Sequence, residues 1–388
     1  MRASKRIAAL PPYLFAELDR KIAEEKGRGV DVISFGIGDP DRPTPRHIVE
    51  AAQAAVADPA THQYPSYSGM PEFREAVARY YDRRFGVELD PATEVLPLIG
   101  SKEGIAHLAT AFVDPGDRLL VSEPGYPVYQ TAALLAGGVP VPLRLTCDNG
   151  FIPQLDEVSD EDAAASKLMW INYPSNPTSA VCDLDFMAKA VDFSRNSDLL
   201  LAHDSAYVEL TYDGFVAPSV LEAPGAKEVA IEFGSLSKTY NMTGWRMGWV
   251  VGAAPAIEAI GRVKTNIDSG IFNALQRAGI AALDGPQDCV QESIDVYTRR
   301  RDVVVDALAS NGIDVEKPRG AIYVWAPVPA GHSSVSFCEF LLSEVGVVIT
   351  PGSGYGAAGE GYVRFSLTLA DDRVDEGMDR VASALKGI

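Results

Sequence analysis

The chain has 388 residues, more than one hydrophobic core usually serves, since cores stop growing at about 250 to 300 residues; two domains are the expectation. Apolar residues make up 47% and charged residues 22%, the balance of a soluble globular protein and not of a disordered or membrane one. With 53 acidic against 34 basic residues the net charge is −19, which repels a nucleic-acid backbone yet leaves room for a small anion held by a few arginines in a cleft.

The N-terminus carries Arg2, Lys5 and Arg6, then Pro11-Pro12 and the charged stretch Glu17-Leu18-Asp19-Arg20, with no apolar signal core. No window approaches the ~18 unbroken apolar residues of a membrane span. Cys147, Cys182, Cys289 and Cys338 are scattered without a CxxC pair, so they read as free thiols in a reducing compartment, and the chain reads as cytoplasmic. A short amphipathic helix follows the two prolines, and this N-terminal arm is expected to pack against the C-terminal part. From about 70 to 280, helix-period stretches alternate with short apolar runs ending in Gly, Pro, Asn or Asp, the pattern of βα units around a mostly parallel sheet. The spacing predicts a helix over Arg74 to Phe85, stopped by Gly86. Strands follow at Glu94 to Ile99, leading into a helix from Ser101, then at Arg118 to Ser122, Lys167 to Asn172, Leu199 to His203, Val229 to Phe233 and Gly248 to Val251. Beyond them come a long helix from about Ser293 to Ala309, strands at Ala321 to Trp325, Val347 to Thr350 and Tyr362 to Leu367, and a last helix from Asp372. The expected fold is therefore α/β, a large domain over 45–280 with a mostly parallel central sheet between helices, and a smaller α+β domain from 1–44 and 281–388 that completes a cleft.

In open α/β sheets ligands bind at the carboxyl ends of the strands. Five successive strands here end in Gly100-Ser101-Lys102, Pro124-Gly125-Tyr126, Asn172 to Pro177, Asp204-Ser205-Ala206-Tyr207 and Ser235-Leu236-Ser237-Lys238, which points to one pocket. Asp204 follows an apolar run, so its carboxylate should emerge at the sheet rim with little water and need a cationic partner; taken alone it also reads as a helix cap. Lys238, 34 residues later, could act as a nucleophile once burial lowers its pKa; taken alone it reads as a solvated lysine. Its company argues otherwise: Ser235, Ser237 and Arg246, with Ser101 and Lys102 at a helix start, are donors suited to one phosphate.

With these residues in view, the sequence resembles the fold-type I pyridoxal-phosphate enzymes of the class I/II aminotransferases, from about Phe35 to the C-terminus. The matching pieces are Gly36-Ile37-Gly38-Asp39-Pro40, Tyr64-Pro65-Ser66-Tyr67-Ser68-Gly69, Asn172 to Thr178, Asp204 to Tyr207, Ser235 to Lys238 with Gly244-Trp245-Arg246-Met247-Gly248, and Tyr362-Val363-Arg364. The resemblance implies that Lys238 holds pyridoxal 5′-phosphate as a Schiff base and moves a proton at the substrate Cα. It implies that Asp204 pairs with the pyridine nitrogen, Asn176 and Tyr207 meet the ring oxygen, and Tyr126 stacks on the ring. Ser101, Lys102, Ser235, Ser237 and Arg246 would bind the phosphate. Arg364 would clamp the substrate α-carboxylate with Gly38 and Asn176, a task suited to a forked guanidinium. Tyr64 would reach the phosphate of a neighbouring subunit, so the resemblance implies an obligate homodimer.

Within the class, the stretches Ser237 to Arg246, Lys264 to Phe272, Gly100 to His107 and Asn172-Tyr173-Pro174 look most like LL-diaminopimelate aminotransferases. That implies amino exchange between LL-2,6-diaminopimelate and 2-oxoglutarate, in lysine and cell-wall precursor synthesis. A substrate with an amino acid group at both ends needs polar partners for its distal end, and Asp268 and Ser269, entering from the other protomer, are the candidates; Asp268 could equally cap a helix. Ser66-Tyr67-Ser68 lacks a carboxylate found in some of these enzymes, and Gly234 and Ser175 stand where a histidine and an asparagine are expected. Aspartate, alanine, aromatic or N-succinyldiaminopimelate transamination therefore stays open, as do lyases, racemases and synthases, which share Lys238 and Asp204. Gly354 to Gly359 fits GxGxxG but runs into a strand instead of a helix, which suits a flexible turn placing Arg364 better than a dinucleotide site. Ser235 to Lys238 fits SxxK without the companion motifs of an acyl transferase. His203, His47, His62, His107 and His332 read as structural or solvated, with no metal site expected.

Overall fold

The apolar runs that end in polar residues become neighbouring strands of one sheet. The computed structural model describes residues 2–8, 10 and 14–387; Pro11 and Pro12 lie outside them. Twelve strands occur among the described residues: β1 (Ile33–Ser34), β2 (Val95–Leu98), β3 (Arg118–Glu123), β4 (Val139–Arg144), β5 (Ser166–Asn172), β6 (Leu200–Asp204), β7 (Ala230–Ser235), β8 (Gly248–Gly252), β9 (Tyr323–Pro327), β10 (Val347–Val348), β11 (Thr350–Pro351) and β12 (Tyr362–Ser366). Seven of them form the central sheet, in the order β2-β8-β7-β6-β5-β3-β4. All its pairings are parallel except those of β8, which runs antiparallel to β2 and β7.

Strands buried on both faces read as unbroken apolar runs, and β7 and β8 are buried at every residue. Alternate side chains feed two cores. Leu120, Met169, Ile171, Leu201 and Val251 pack on one face with the helix Pro71–Phe85. Leu119, Val121, Trp170, Ala202, Phe233 and Val250 pack on the other with the helices Ser101–Phe112 and Val128–Ala136. Each such aliphatic or aromatic side chain contributes about 1.5 to 3 kcal/mol. Helix Pro71–Phe85 starts three residues earlier than the periodicity predicts, with Pro71 in its first turn, where a missing N–H costs nothing. It stops where expected, at Gly86, whose φ of 65° is the left-handed cap only glycine adopts freely.

A third core gathers Phe35, Tyr297, Val304, Ile322, Phe337, Val363 and Met378 around a three-stranded antiparallel sheet, β11-β12-β9. The run read as one strand over Val347 to Thr350 is two: β10 pairs in parallel with β1, and after Ile349 the chain crosses to pair β11 with β12. The long helix begins at Asp288, before the expected Ser293, and ends at Ala309 as read. The N-terminal arm does pack against the C-terminal unit: Asp31 meets Arg373 and Arg380 at 2.8 and 2.7 Å. Its first residues go elsewhere, however, because Arg6 donates to the Leu135 carbonyl on the central-sheet side. The Gly354 to Gly359 segment leads into β12 by turns and not into a helix, as read. It belongs to two short 3₁₀ turns, Gly352–Tyr355 and Ala357–Gly359, so close that a Cβ on Gly352 would lie 2.0 Å from the Gly359 oxygen.

Candidate active site

At the carboxyl ends of β5, β6 and β7 the side chains converge because the register puts them side by side. Asn172 pairs with Asp204, and Ser235, at the end of β7, pairs with Gly248. A cleft of about 380 Å³ opens there. Of the residues singled out in the sequence, Gly38, Ser101, Lys102, Tyr126, Asn176, Asp204, Tyr207, Ser235, Ser237, Lys238, Arg246 and Arg364 line it; Tyr64, Asp268 and Ser269 do not.

Asp204 lies on the cleft floor, buried. Tyr129 donates to its Oδ2 at 2.8 Å, the Ala206 amide to its Oδ1 at 3.3 Å, and the Asn172 amide to its main-chain oxygen at 2.7 Å. Burial pushes its carboxyl above the ordinary range, against the Tyr129 hydroxyl and the nearby His203, which pull it down. A carboxylate so placed favours a cationic partner, and a protonated ring nitrogen is one. Tyr129 is held in turn by Trp170, whose ring stacks on it at 4.8 Å and 11°. On the other side of β6, fully buried His203 and Glu232 bond at 2.8 Å. Burial works to raise the Glu232 carboxyl, but His203, Tyr81 and Ser219 together hold it below its usual range.

Lys238 lies within a single turn, Leu236–Thr239, that follows β7. Its Nζ donates to the Gly38 carbonyl at 2.7 Å. Desolvation lowers its pKa to about 8; Asp39 works against that shift, and Arg364 and Arg246 reinforce it. The amine is thus available as a base near neutrality.

A phosphate fits beside it. Helix Ser101–Phe112 opens at Gly100 with no side chain capping its amides, which leaves the positive end of the helix to an anion. Arg246 sits against that opening: a Cβ on Gly100, whose φ is 76°, would come within 2.3 Å of Nη2 of Arg246. Arg246 itself has a φ of 54°, rare for a side-chain-bearing residue, and is tied by its Nη1 to the Thr243 carbonyl at 2.8 Å. Ser235 Oγ accepts from the Ser237 amide at 3.2 Å. The donor set and the open helix end suit a phosphate monoester.

Arg364 is 1% exposed, a cation spread over the Tyr323 ring at 4.1 Å. Nη1 donates to Asn176 Oδ1 at 2.8 Å and Nη2 to the Gly36 carbonyl at 2.7 Å, while Nε has no partner among the described residues. A buried guanidinium with unsatisfied capacity and no carboxylate beside it is built to receive one. With its oxygen committed to Arg364, Asn176 has its NH₂ left for a ring oxygen. Sequence reasoning missed Tyr129 and Tyr323; the Tyr323 hydroxyl bonds that of Tyr207 at 2.8 Å, and a Cβ on Gly38 would lie 2.3 Å from it, so Gly38 is glycine by necessity. Gly234 has a comparable reason. The Trp249 indole lies where a histidine side chain would begin, 2.2 Å from a Cβ built there.

Tyr64 and Ser269 lie together on a separate, open surface hollow with Pro65, Gly270 and Phe272, and Tyr64 is 88% exposed. Asp268 is neither a helix cap nor open to the cleft. Its carboxylate is taken by Lys264 Nζ at 2.8 Å and by the Gly270 amide at 2.6 Å. His107, buried as a structural histidine would be, bonds Glu103 at 2.8 Å in the same cluster.

A doubly covered sheet, a base at a strand end and a phosphate cradle beside a buried carboxylate clamp define a group-transfer enzyme acting on small acids. The sequence model of the family "Aminotransferase class I and II" matches residues 30–381, and the chain belongs to that family. It is 58% identical over 382 residues to the LL-diaminopimelate aminotransferase of Desulforudis audaxviator, covering 98% of this chain and 97% of that one. Among solved structures it is similar to substrate-bound BacF of Bacillus subtilis, with a TM-score of 0.95 and 35% identity over 99% and 98% of the two chains. A probable N-succinyldiaminopimelate aminotransferase of Thermus thermophilus superposes with a TM-score of 0.91 at 36% identity, covering 96% of this chain and 100% of that one. The fold is accordingly that of the fold-type I aminotransferases, and the enzyme is a transaminase.

Proposed function

We propose that the chain is a pyridoxal-phosphate-dependent aminotransferase whose physiological donor is LL-2,6-diaminopimelate and whose acceptor is 2-oxoglutarate. The observation that carries the reading is the pairing of a pKa-depressed Lys238 with a buried, incompletely satisfied Arg364 across one cleft. The high identity to a diaminopimelate enzyme over nearly the whole chain names the donor. When bound, pyridoxal phosphate supplies the electron sink that makes a Cα proton removable.

The chain's own residues do the rest. Ser101, Lys102, Ser235, Ser237 and Arg246 seat the phosphate, Asp204 keeps the ring nitrogen protonated, and Tyr126 covers the ring. Arg364 and Asn176 fix the α-carboxylate of the donor, with the Gly38 main chain beside them, so that the Cα–H bond faces Lys238. Lys238 Nζ takes that proton as a base and returns one as an acid when the acceptor is aminated. We assign residues 45–280 to the cofactor-binding domain and 1–44 with 281–388 to the smaller domain that completes the cleft. The exposed hollow at Tyr64 and Ser269 fits a homodimer in which each chain completes its partner's cleft, Tyr64 at the phosphate and Ser269 at the distal end of the donor. None of the described helices is long and apolar enough to cross a membrane, in keeping with the cytoplasm as the compartment.

The test is a donor panel with 2-oxoglutarate: LL-diaminopimelate, N-succinyl-LL-diaminopimelate, aspartate, alanine and phenylalanine, followed by glutamate release. LL-diaminopimelate is expected to have the highest kcat/KM. A preference for the succinylated donor would instead align the chain with its Thermus thermophilus neighbour, and no turnover with any donor would overturn the reading.

A further inference from the structure

A lysine that the reaction does not use is among the most deeply buried charges in the molecule. Lys264, at the end of the helix Ala254–Lys264, is 1% exposed. Its Nζ donates to Glu103 Oε1 at 3.0 Å and to both Asp268 oxygens at 2.9 and 2.8 Å. A buried ammonium is retained only where its charge is paired, and removing one partner of such a cluster leaves the others uncompensated. Glu103, His107 and Asp268 have the donor types of a metal site, but the Lys264 ammonium already supplies the cation between the two carboxylates. The cluster holds Glu103 down to about 2, against its burial, through His107, Asp268 and Lys264.

Its two ends reach two different places. Glu103 stands in the first turn of the helix whose open start faces the phosphate site, and its other oxygen accepts the Ile99 amide just ahead of that start. Asp268 takes the Gly270 amide, and Gly270, at φ 89°, lies so close to the Tyr64 segment that a Cβ would meet the Ser66 oxygen at 2.8 Å. Next to these contacts Tyr64, Ile267 and Phe272 are exposed at 88%, 64% and 38%.

We propose that Lys264, with Glu103 and Asp268, is a positioning group that ties the phosphate cradle of its own cleft to the 265–272 loop and Tyr64 segment offered to the partner's cleft. Seating of cofactor in one subunit is thereby linked to donor recognition in the other. The proposal rests on the homodimer reading.

Hybrid dimers of two differently tagged chains test it, with Lys238→Ala silencing one chain. With Lys264→Met and Lys238→Ala on the same chain, the live cleft is the wild-type one and receives the altered loop. At saturating cofactor, needed because the altered segment also brings Tyr64 to that cleft's phosphate, the donor KM should rise on the order of tenfold, a coupling ordinary for groups in one buried network. With the two substitutions on separate chains, the live cleft has the altered cradle and an intact incoming loop. Cofactor should then be lost on the order of tenfold faster, with donor KM near normal at saturating cofactor. The charge-balanced pair Glu103→Gln with Lys264→Met, in the same two arrangements, gives the same pattern if the single replacement fails to fold. Unchanged donor KM in the first hybrid, or unchanged cofactor release in the second, overturns the linkage. A chain that sediments as a fully active monomer overturns the homodimer reading as well.

Discussion

Two lysines, Lys238 and Lys264, show how one residue type is turned to opposite ends by its neighbours. Lys264 is shut away with two carboxylates at ion-pairing distance. Lys238 stands in an open cleft where its hydrogen bond goes to a main-chain carbonyl, and desolvation, helped by two guanidiniums, brings it to about 8. Carboxylate partners favour the charged amine; desolvation without them favours the neutral one. Carboxylates therefore ion-pair with Lys264, whereas among the described residues none is in direct contact with Lys238.

The sharpest way to break that contrast is to remove each amine. Lys238→Ala should lower the rate of the donor half-reaction on the order of 10⁴-fold, the upper end of what a positioned base contributes, as read by stopped-flow absorbance of the cofactor. Lys264→Met should leave the covalent chromophore in place. A Lys238→Ala enzyme within tenfold of wild type would show that the base lies elsewhere. Next in size comes the other cation of the cleft. Arg364→Lys keeps the charge but loses the fork that holds Asn176, Gly36 and a carboxylate together. Donor and acceptor KM should both rise on the order of 10²-fold, since a misplaced buried charge contact costs about 2 to 3 kcal/mol. A rise for only one of the two acids would mean that a second clamp exists.

Much of the Lys238 side of the contrast could be read from sequence, because parallel strands covered on both faces are unbroken apolar runs and their polar ends stand out. Asn172, Asp204 and Ser235 close β5, β6 and β7, and their convergence follows from the topology alone. The Lys264 side could not be read so. A lysine ending a helix ordinarily answers the helix dipole in water, and nothing local announces that Glu103, 161 residues away, folds onto it. Tyr323 was hidden for the same reason, an aromatic inside an apolar run that reads as core. The strand β4 escaped because Val139-Pro140-Val141-Pro142 carries two prolines, which a central strand would not tolerate; β4 survives as the sheet's edge. The antiparallel β8 and the crossing at Ile349 are choices of register between distant segments, on which a single run of apolar residues is silent.

The smallest expected effect bears on the origin of the lysine's basicity. Capture of pyridoxal phosphate by cofactor-free enzyme needs the neutral amine of Lys238. Because its pKa is depressed, the neutral fraction is gained as pH rises through about 8, where an ordinary lysine would wait until about 10.4. The capture rate, followed by absorbance, should therefore climb to half its plateau near pH 8. Asp39, which lines the cleft and favours the protonated form, opposes this, so Asp39→Asn should move the half-point to lower pH, and Arg246→Gln, removing a repelling cation, should move it higher. If both substitutions leave the half-point in place, desolvation alone sets the amine, and the neighbouring charges contribute nothing to its lowered pKa.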